Sequence, residues 1–301
     1  MPRDDSVIPA SYAPSFAWTA VAPAVFVVLW STGFVAAKAG LPYAEPLTFL
    51  TARFGIVAVA MLIAAFAIRA AWPKGIMIAH IAVVGLLMHA SYLGGVFTAL
   101  HLGMPAGLVA LVVGLQPILT AVAVGPLLGE RVSLRQWLGF ALGFGGAALV
   151  LGERYSFAGG TTGLAAPALA VWGLIGISAG TLYQKRFCEH ANLWTGAVIQ
   201  YTAAAVPTAI AAAAFETMHI TWAPPFVWAM LWLVVVLSGG TVSLLYLLIR
   251  RGAVSKLASL FFLIPPTTAL IAWAMFGEHL GPTALAGMAV AAVGVALVQR
   301  G

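Results

Sequence analysis

This sequence predicts an all-α integral membrane protein, and three observations carry the prediction. Of its 301 residues 62% are hydrophobic and only 7% charged, with a mean hydropathy of +1.04, whereas soluble domains carry ~25% charged residues. Apolar runs long enough for the ~20 residues a spanning helix needs follow one another along the whole chain. None of them alternates with the period of two that marks a lipid-facing barrel strand.

Taken in order, the runs give ten transmembrane helices separated by short connections that hold most of the charge. The first five cover about 18–38, 47–69, 76–100, 105–128 and 134–151. Glu45 separates the first two, Lys74 the second and third, His101-Leu102-Gly103 the third and fourth, and Glu130 to Ser133 the fourth and fifth. The second five cover about 163–184, 194–215, 224–249, 254–276 and 283–299. Their separators are Lys185-Arg186, Glu216, Arg250-Arg251-Gly252 and Glu278 to Pro282. The N-terminal stretch MPRDDSVIPASYAPSF reads as a tail rather than a signal peptide, because the apolar run after it is too long for a signal core. Cys188 is the single cysteine, so no disulfide or cysteine-based metal site is expected.

Lysine and arginine favour cytoplasmic loops. Eleven of the fourteen fall on one side of this layout: Arg3, Arg69, Lys74, Arg131, Arg135, Lys185, Arg186, Arg250, Arg251, Lys256 and Arg300. The other side keeps Lys38, Arg53 and Arg154, which places both termini in the cytoplasm. The net charge of +6 is then an orientation signal and not a nucleic-acid surface.

The two halves repeat. GERVSLRQWLGFALGFGGAALV (129–150) aligns with GEHLGPTALAGMAVAAVGVALV (277–298) at an offset of 148, pairing Glu130 with Glu278, Gly139 with Gly287 and Gly146 with Gly294. A duplicated unit of five helices, an odd number, must insert upside down relative to its twin. Corresponding loops then exchange their basic residues, and they do: Arg131 and Arg135 face His279 alone, and His101 faces Arg250-Arg251. The chain therefore divides into an inverted 5+5 repeat, 1–157 and 158–301.

At the centre of the fourth helix stands LVVGLQPILT (111–120), whose counterpart in the ninth is LFFLIPPTTA (260–269). Pro117 aligns with Pro266 and Gln116 with Pro265. Each proline removes a backbone donor and frees a carbonyl one turn earlier, so both helices should bend or loosen there. Freed backbone at that depth needs a partner or a water-filled space. Matched broken helices at mid-membrane are what a transporter with its site between inverted repeats requires, and they make Pro117, Pro265 and Pro266 the expected hinge.

LWSTGF and Lys38 in the first helix, Arg53 early in the second, and the Gly-Glu pairs at 129 and 277 give the whole chain a resemblance to the drug/metabolite transporter superfamily, EamA type. His89 and Tyr92 in the third helix and Trp172 in the sixth make it most similar to YddG-type aromatic amino-acid exporters. The resemblance implies export of amino acids and related metabolites across the inner membrane through a central cavity.

Ionisable residues inside a membrane are functional candidates by default. All eight acidic residues fall in the tail or at helix ends, which argues against a carboxylate sodium site or proton relay. His89 is the exception at depth, with Ser91 beside it and Tyr92 one turn on along the same face. His80, nine residues earlier, points the opposite way. Most tryptophans fall at membrane boundaries, where an indole is at home, but Trp30, Trp172 and Trp232 fall deep. Lys38 and Arg53 stand toward the outer ends of their helices, where snorkelling or pairing with Glu45 is expected. The functional alternative is that Lys38 guides a substrate carboxylate through the outer mouth. Gly139 and Gly143 are expected to pack helices closely within a monomer, with a dimer seam as the alternative.

These readings converge on an inner-membrane, multi-pass exporter of aromatic and other neutral amino acids, with no cofactor, no metal and no nucleic-acid partner. His89, Tyr92, Gln116, Trp30 and Trp172 are expected around the midplane cavity. The rival on the same scaffold is a drug or other small-metabolite carrier. A membrane-embedded enzyme would need a cluster of acid, base or metal ligands within the bilayer, and a passive channel would not saturate.

Overall fold

The computed structural model describes residues 16–104, 106–129, 131–152, 164–251, 254–276 and 281–300. The described residues are helical nearly throughout, with a single isolated bridge between Ala44 and Ile220. Among the described residues, six helices are long and apolar enough to cross a membrane.

Uninterrupted helices come from the uninterrupted apolar runs: α1 (Phe16–Gly40), α2 (Pro46–Ala67), α7 (Leu134–Gly152), α8 (Ala165–Phe187) and α9 (Leu193–Phe215). Asn192 caps α9 by accepting from the amides of Trp194 (3.0 Å) and Thr195 (3.3 Å), which satisfies donors that helix geometry leaves free. The third run winds through α3 (Ile76–Gly85), a π-helical stretch Leu86–Ser91 and α4 (Tyr92–His101). The eighth has the same plan: α10 (Pro224–Leu231), a π-helical stretch Trp232–Thr241 and α11 (Val242–Arg251).

The proline-bearing runs are broken. In the fourth, α5 (Ala106–Val113) stops at Gly114-Leu115, and α6 (Gln116–Leu128) restarts with Pro117 in its first turn. In the ninth, α12 (Val254–Ser259) tightens into a 3-10 turn over Leu260–Leu263 before α13 (Ile264–Phe276) carries Pro265 and Pro266 in its first turn. Both breaks stand one turn ahead of the prolines, because a proline cannot donate to the carbonyl four residues back and its ring crowds that turn. Val113 is that residue for Pro117, and Phe261 and Phe262 are those for Pro265 and Pro266. All three prolines are buried. The last helix is α14 (Pro282–Arg300).

Helices α7 and α14 lie antiparallel in backbone contact. A Cβ on Gly139 would come within 2.6 Å of the Gly294 carbonyl, and one on Gly146 within 2.5 Å of the Gly287 carbonyl. Only glycine permits that approach. The contacts are reciprocal, since Gly139 meets the counterpart of Gly146 while Gly146 meets the counterpart of Gly139, as in a two-fold interface. The small faces therefore pack within the chain.

Helices α2 and α9 also run antiparallel. At one end of their seam the Glu216 carboxylate accepts from the amides of Leu47 (2.8 Å) and Thr48 (2.7 Å) and from the Thr48 hydroxyl (2.7 Å), so α9 supplies the N-terminal cap of α2. Glu45 answers by accepting from the Thr217 hydroxyl (2.5 Å) and amide (2.7 Å). Those bonds, the hydroxyl first and the amide second, hold the Glu45 carboxyl below its usual range. Glu45 is therefore committed to Thr217, and the expected Glu45–Arg53 pair does not form. The opposite end of the seam has one comparable tie, Thr195 Oγ1 to the Ala71 carbonyl at 3.0 Å.

The outer faces are apolar. Ile63, Phe66, Val122, Ile210 and Trp228 are all exposed, a surface that suits hydrocarbon and not water.

Candidate functional site

A cavity lies where α1, α2 and the third helix meet α8 and the eighth helix. Trp30 and Phe34 enter from α1, Arg53 from α2, and His89, Tyr92 and Phe97 from the third helix. Ile177, Leu233, Leu237, Val242 and Leu245 close the opposite side. Helical spacing explains the first wall: residues 30, 34 and 37 recur every three or four positions along one face of α1. On the third helix the π-helical stretch adds a residue to the turn, and His89, Tyr92 and Val96 all reach the cavity.

The aromatic groups form a continuous surface. Trp30 and Tyr92 are stacked at 6.3 Å between ring centroids, and Phe26 (5.1 Å) and Phe261 (5.4 Å) pack against Trp30 from behind. His89 stacks on Tyr201 at 4.2 Å and 18°. Its Nε2 atom is buried with no hydrogen-bond partner among the described residues. Behind the histidine runs a polar chain through the second half of the molecule. Tyr201 donates to the Ser238 carbonyl (3.4 Å), Tyr246 to Gln200 Oε1, Gln200 to Gln184 Oε1 (3.4 Å), and Gln184 to the Cys188 carbonyl (3.2 Å). Buried polar groups that satisfy one another in this way fix the wall they form.

The residues expected at the site separate into two sets. Trp30, His89 and Tyr92 come together. Gln116 does not join them: it is fully buried between α6 and α8, with its amide 3.5 Å from Thr181 Oγ1 and its own Oε1 unpartnered. The fourth helix breaks at this point but faces α8 and not the cavity. Trp172 is 57% exposed, because α8 turns that position outward to lipid. Lys38 is exposed at the end of α1, away from the cavity wall. His80 bonds the Tyr183 hydroxyl at 2.8 Å and stacks on Phe187 at 4.8 Å, well removed from His89.

Arg53 is the residue the sequence reading misplaced. It is 4% exposed and does not snorkel; its Nε and Nη2 donate to Ser238 Oγ at 3.1 and 2.9 Å. Its position seven residues past the start of α2 was the available signal. That is about 10 Å of helix rise, deep for a guanidinium to reach headgroups. Tyr201 gave none, since an aromatic in an apolar run reads as packing.

The EamA-like transporter family model matches this chain twice, over residues 17–152 and 164–300. The chain belongs to the EamA-like transporter family. It is 27% identical over 93% of its length to the uncharacterized transporter YvbV of Bacillus subtilis, covering 91% of that protein. It is 26% identical to a protein of Streptantibioticus cattleyicolor named a probable terminal-alkyne amino-acid exporter, over 91% of each chain. A solved crystal structure shares the fold, with a TM-score of 0.76 and 19% identity, covering 93% of this chain and 96% of the other. The protein is thus a multi-pass membrane transporter of small molecules, and not an enzyme.

Proposed function

We propose that this protein exports aromatic and other neutral amino acids across the bacterial inner membrane, by alternating access between two inverted halves of five helices each. The observation that carries the reading is the cavity, in which Trp30, Tyr92 and His89 converge at depth between helices of the two halves. Flat rings suit an apolar or aromatic side chain. The orphaned Nε2 of His89 suits a polar head, because a buried unpartnered group costs about 1–3 kcal/mol until something bonds it.

Alternating access is supported by the reciprocal glycine contacts of α7 and α14 and by the placement of the irregular windings. The π-helical stretches interrupt the third and eighth helices, and the proline breaks interrupt the fourth and ninth, at corresponding places in the two halves. Such joints let one half rock against the other about Pro117, Pro265 and Pro266. The free volume of the cavity is about 50 Å³, well below the ~150 Å³ of an apolar cavity that admits benzene. On this reading the narrow space between the lining side chains widens to take cargo. The amino-acid class is supported by the name of the Streptantibioticus relative.

The experiment is uptake into proteoliposomes of the purified protein, with a panel of labelled amino acids and counterflow from preloaded vesicles. Saturable phenylalanine or leucine transport with counterflow is expected. Flux that neither saturates nor exchanges would make the protein a channel, and a panel in which only other metabolites move would overturn the amino-acid class.

A further inference from the structure

Resting on the cavity as the cargo site, we propose that Arg53 binds a carboxylate of the cargo, and that an anionic head on an apolar body is required while the α-amino group is dispensable. Arginine carries five donors in a planar fork and remains charged in proteins. One edge of the Arg53 fork, Nε and Nη2, is taken by a single neutral hydroxyl, Ser238 Oγ. The end-on edge of Nη1 and Nη2, the one that grips a carboxylate with two parallel bonds, has no partner among the described residues while the side chain lines the cavity.

Among the described residues no acid serves Arg53 as a counter-ion. The described residues include three acids. Glu45 is held by Thr217, Glu216 by Leu47 and Thr48, and Glu189 by Lys185 at 2.6 Å. A buried charge without a partner is strongly unfavourable, so a cavity built around one is built for an anion.

Among the described residues no acidic side chain lines the cavity, so an ammonium group finds only the faces of Trp30 and Tyr92, a weaker partner than a carboxylate. Selection by this wall therefore ranks carboxylic acids with an apolar tail alongside amino acids, and ranks amines without a carboxylate far below both.

The test uses the purified full chain in proteoliposomes and three matched probes: phenylalanine, 3-phenylpropionate and phenylethylamine. Phenylpropionate is expected to compete with labelled phenylalanine within about threefold of phenylalanine itself, and phenylethylamine at least ~100-fold more weakly. Arg53→Met should erase that preference and Arg53→Lys should restore part of it, with membrane levels of each variant measured. Should Arg53→Met fail to fold, the ranking on the unaltered protein decides alone. If phenylalanine is not carried at all, the amino-acid reading falls. Thermal stabilisation of the detergent-solubilised protein by phenylpropionate, and not by phenylethylamine, then still decides the present proposal. It is overturned if the amine competes or stabilises as well as the acid, if neither acid engages the protein, or if Arg53→Met folds and keeps the preference.

Discussion

The two walls of the cavity come from halves with a common frame and divergent chemistry. The first half supplies Trp30, Arg53, His89 and Tyr92, whereas the second lines the same space with Ile177, Leu233, Leu237, Val242 and Leu245. The divergence is position by position: 148 residues beyond Arg53 stands Tyr201, and 148 beyond His89 stands Leu237. Helix packing, π-helical stretches and proline breaks recur in both halves, because they set the geometry of two bundles that must fit together. The lining side chains carry no such constraint. On the proposed function, one wall would hold the polar recognition groups and the other would be an apolar face against which cargo can slide.

The frame can be broken first, and with the largest effect. A Cβ at Gly294 would lie 2.4 Å from the Gly143 amide, and one at Gly146 2.4 Å from the Ala291 amide. Gly146→Leu and Gly294→Leu should each destroy the α7–α14 contact and remove folded protein from the membrane, a loss of roughly 3 kcal/mol or more. Size-exclusion profiles in detergent check this, and full tolerance at one site only would show the frame to be unsymmetrical.

The difference between the walls is sharpened by a paired substitution. His89→Ala should lower transport by about tenfold or more while Leu237→Ala stays within about threefold, at equal membrane levels, because only the first removes a polar partner. Comparable losses would make both residues packing elements.

The broken helices test the hinge. Pro117→Ala and Pro266→Ala each restore a backbone donor that can close the interrupted turn and stiffen the joint, which should slow transport by several-fold in proteoliposomes. Faster transport in either variant would argue that the breaks are not joints. The smallest effect belongs to Trp172→Ala, expected within about 1.5-fold of the unaltered protein in the same assay, since surface substitutions away from such features are usually nearly neutral.

The frame was legible because its causes are local. Hydropathy marks the runs, prolines mark the breaks one turn downstream of where they occur, and glycines at 139, 146, 287 and 294 announce a close seam. The site was half legible. His89 and Tyr92 share a helix, so their spacing alone brings them together, and Trp30 arrives from a neighbouring helix on depth alone. Depth does not determine rotation about a helix axis, and that is why Trp172, equally central in its run, looks out at lipid and Gln116 looks away from the cavity. Arg53 was hidden for a different reason. A nearby Glu45 offered a ready partner in sequence, and only the fold reveals that Thr217 has claimed it.

The constriction of the cavity sets how such a carrier would behave in a cell. Where the conformation that accepts a ligand is a minor one, apparent affinity falls by the fraction of molecules in that conformation. On the proposed function, a carrier that rests in this narrow conformation would stay sparsely occupied until the internal pool is large. That is the behaviour of an overflow valve, quiet at ordinary metabolite levels and engaged by surplus.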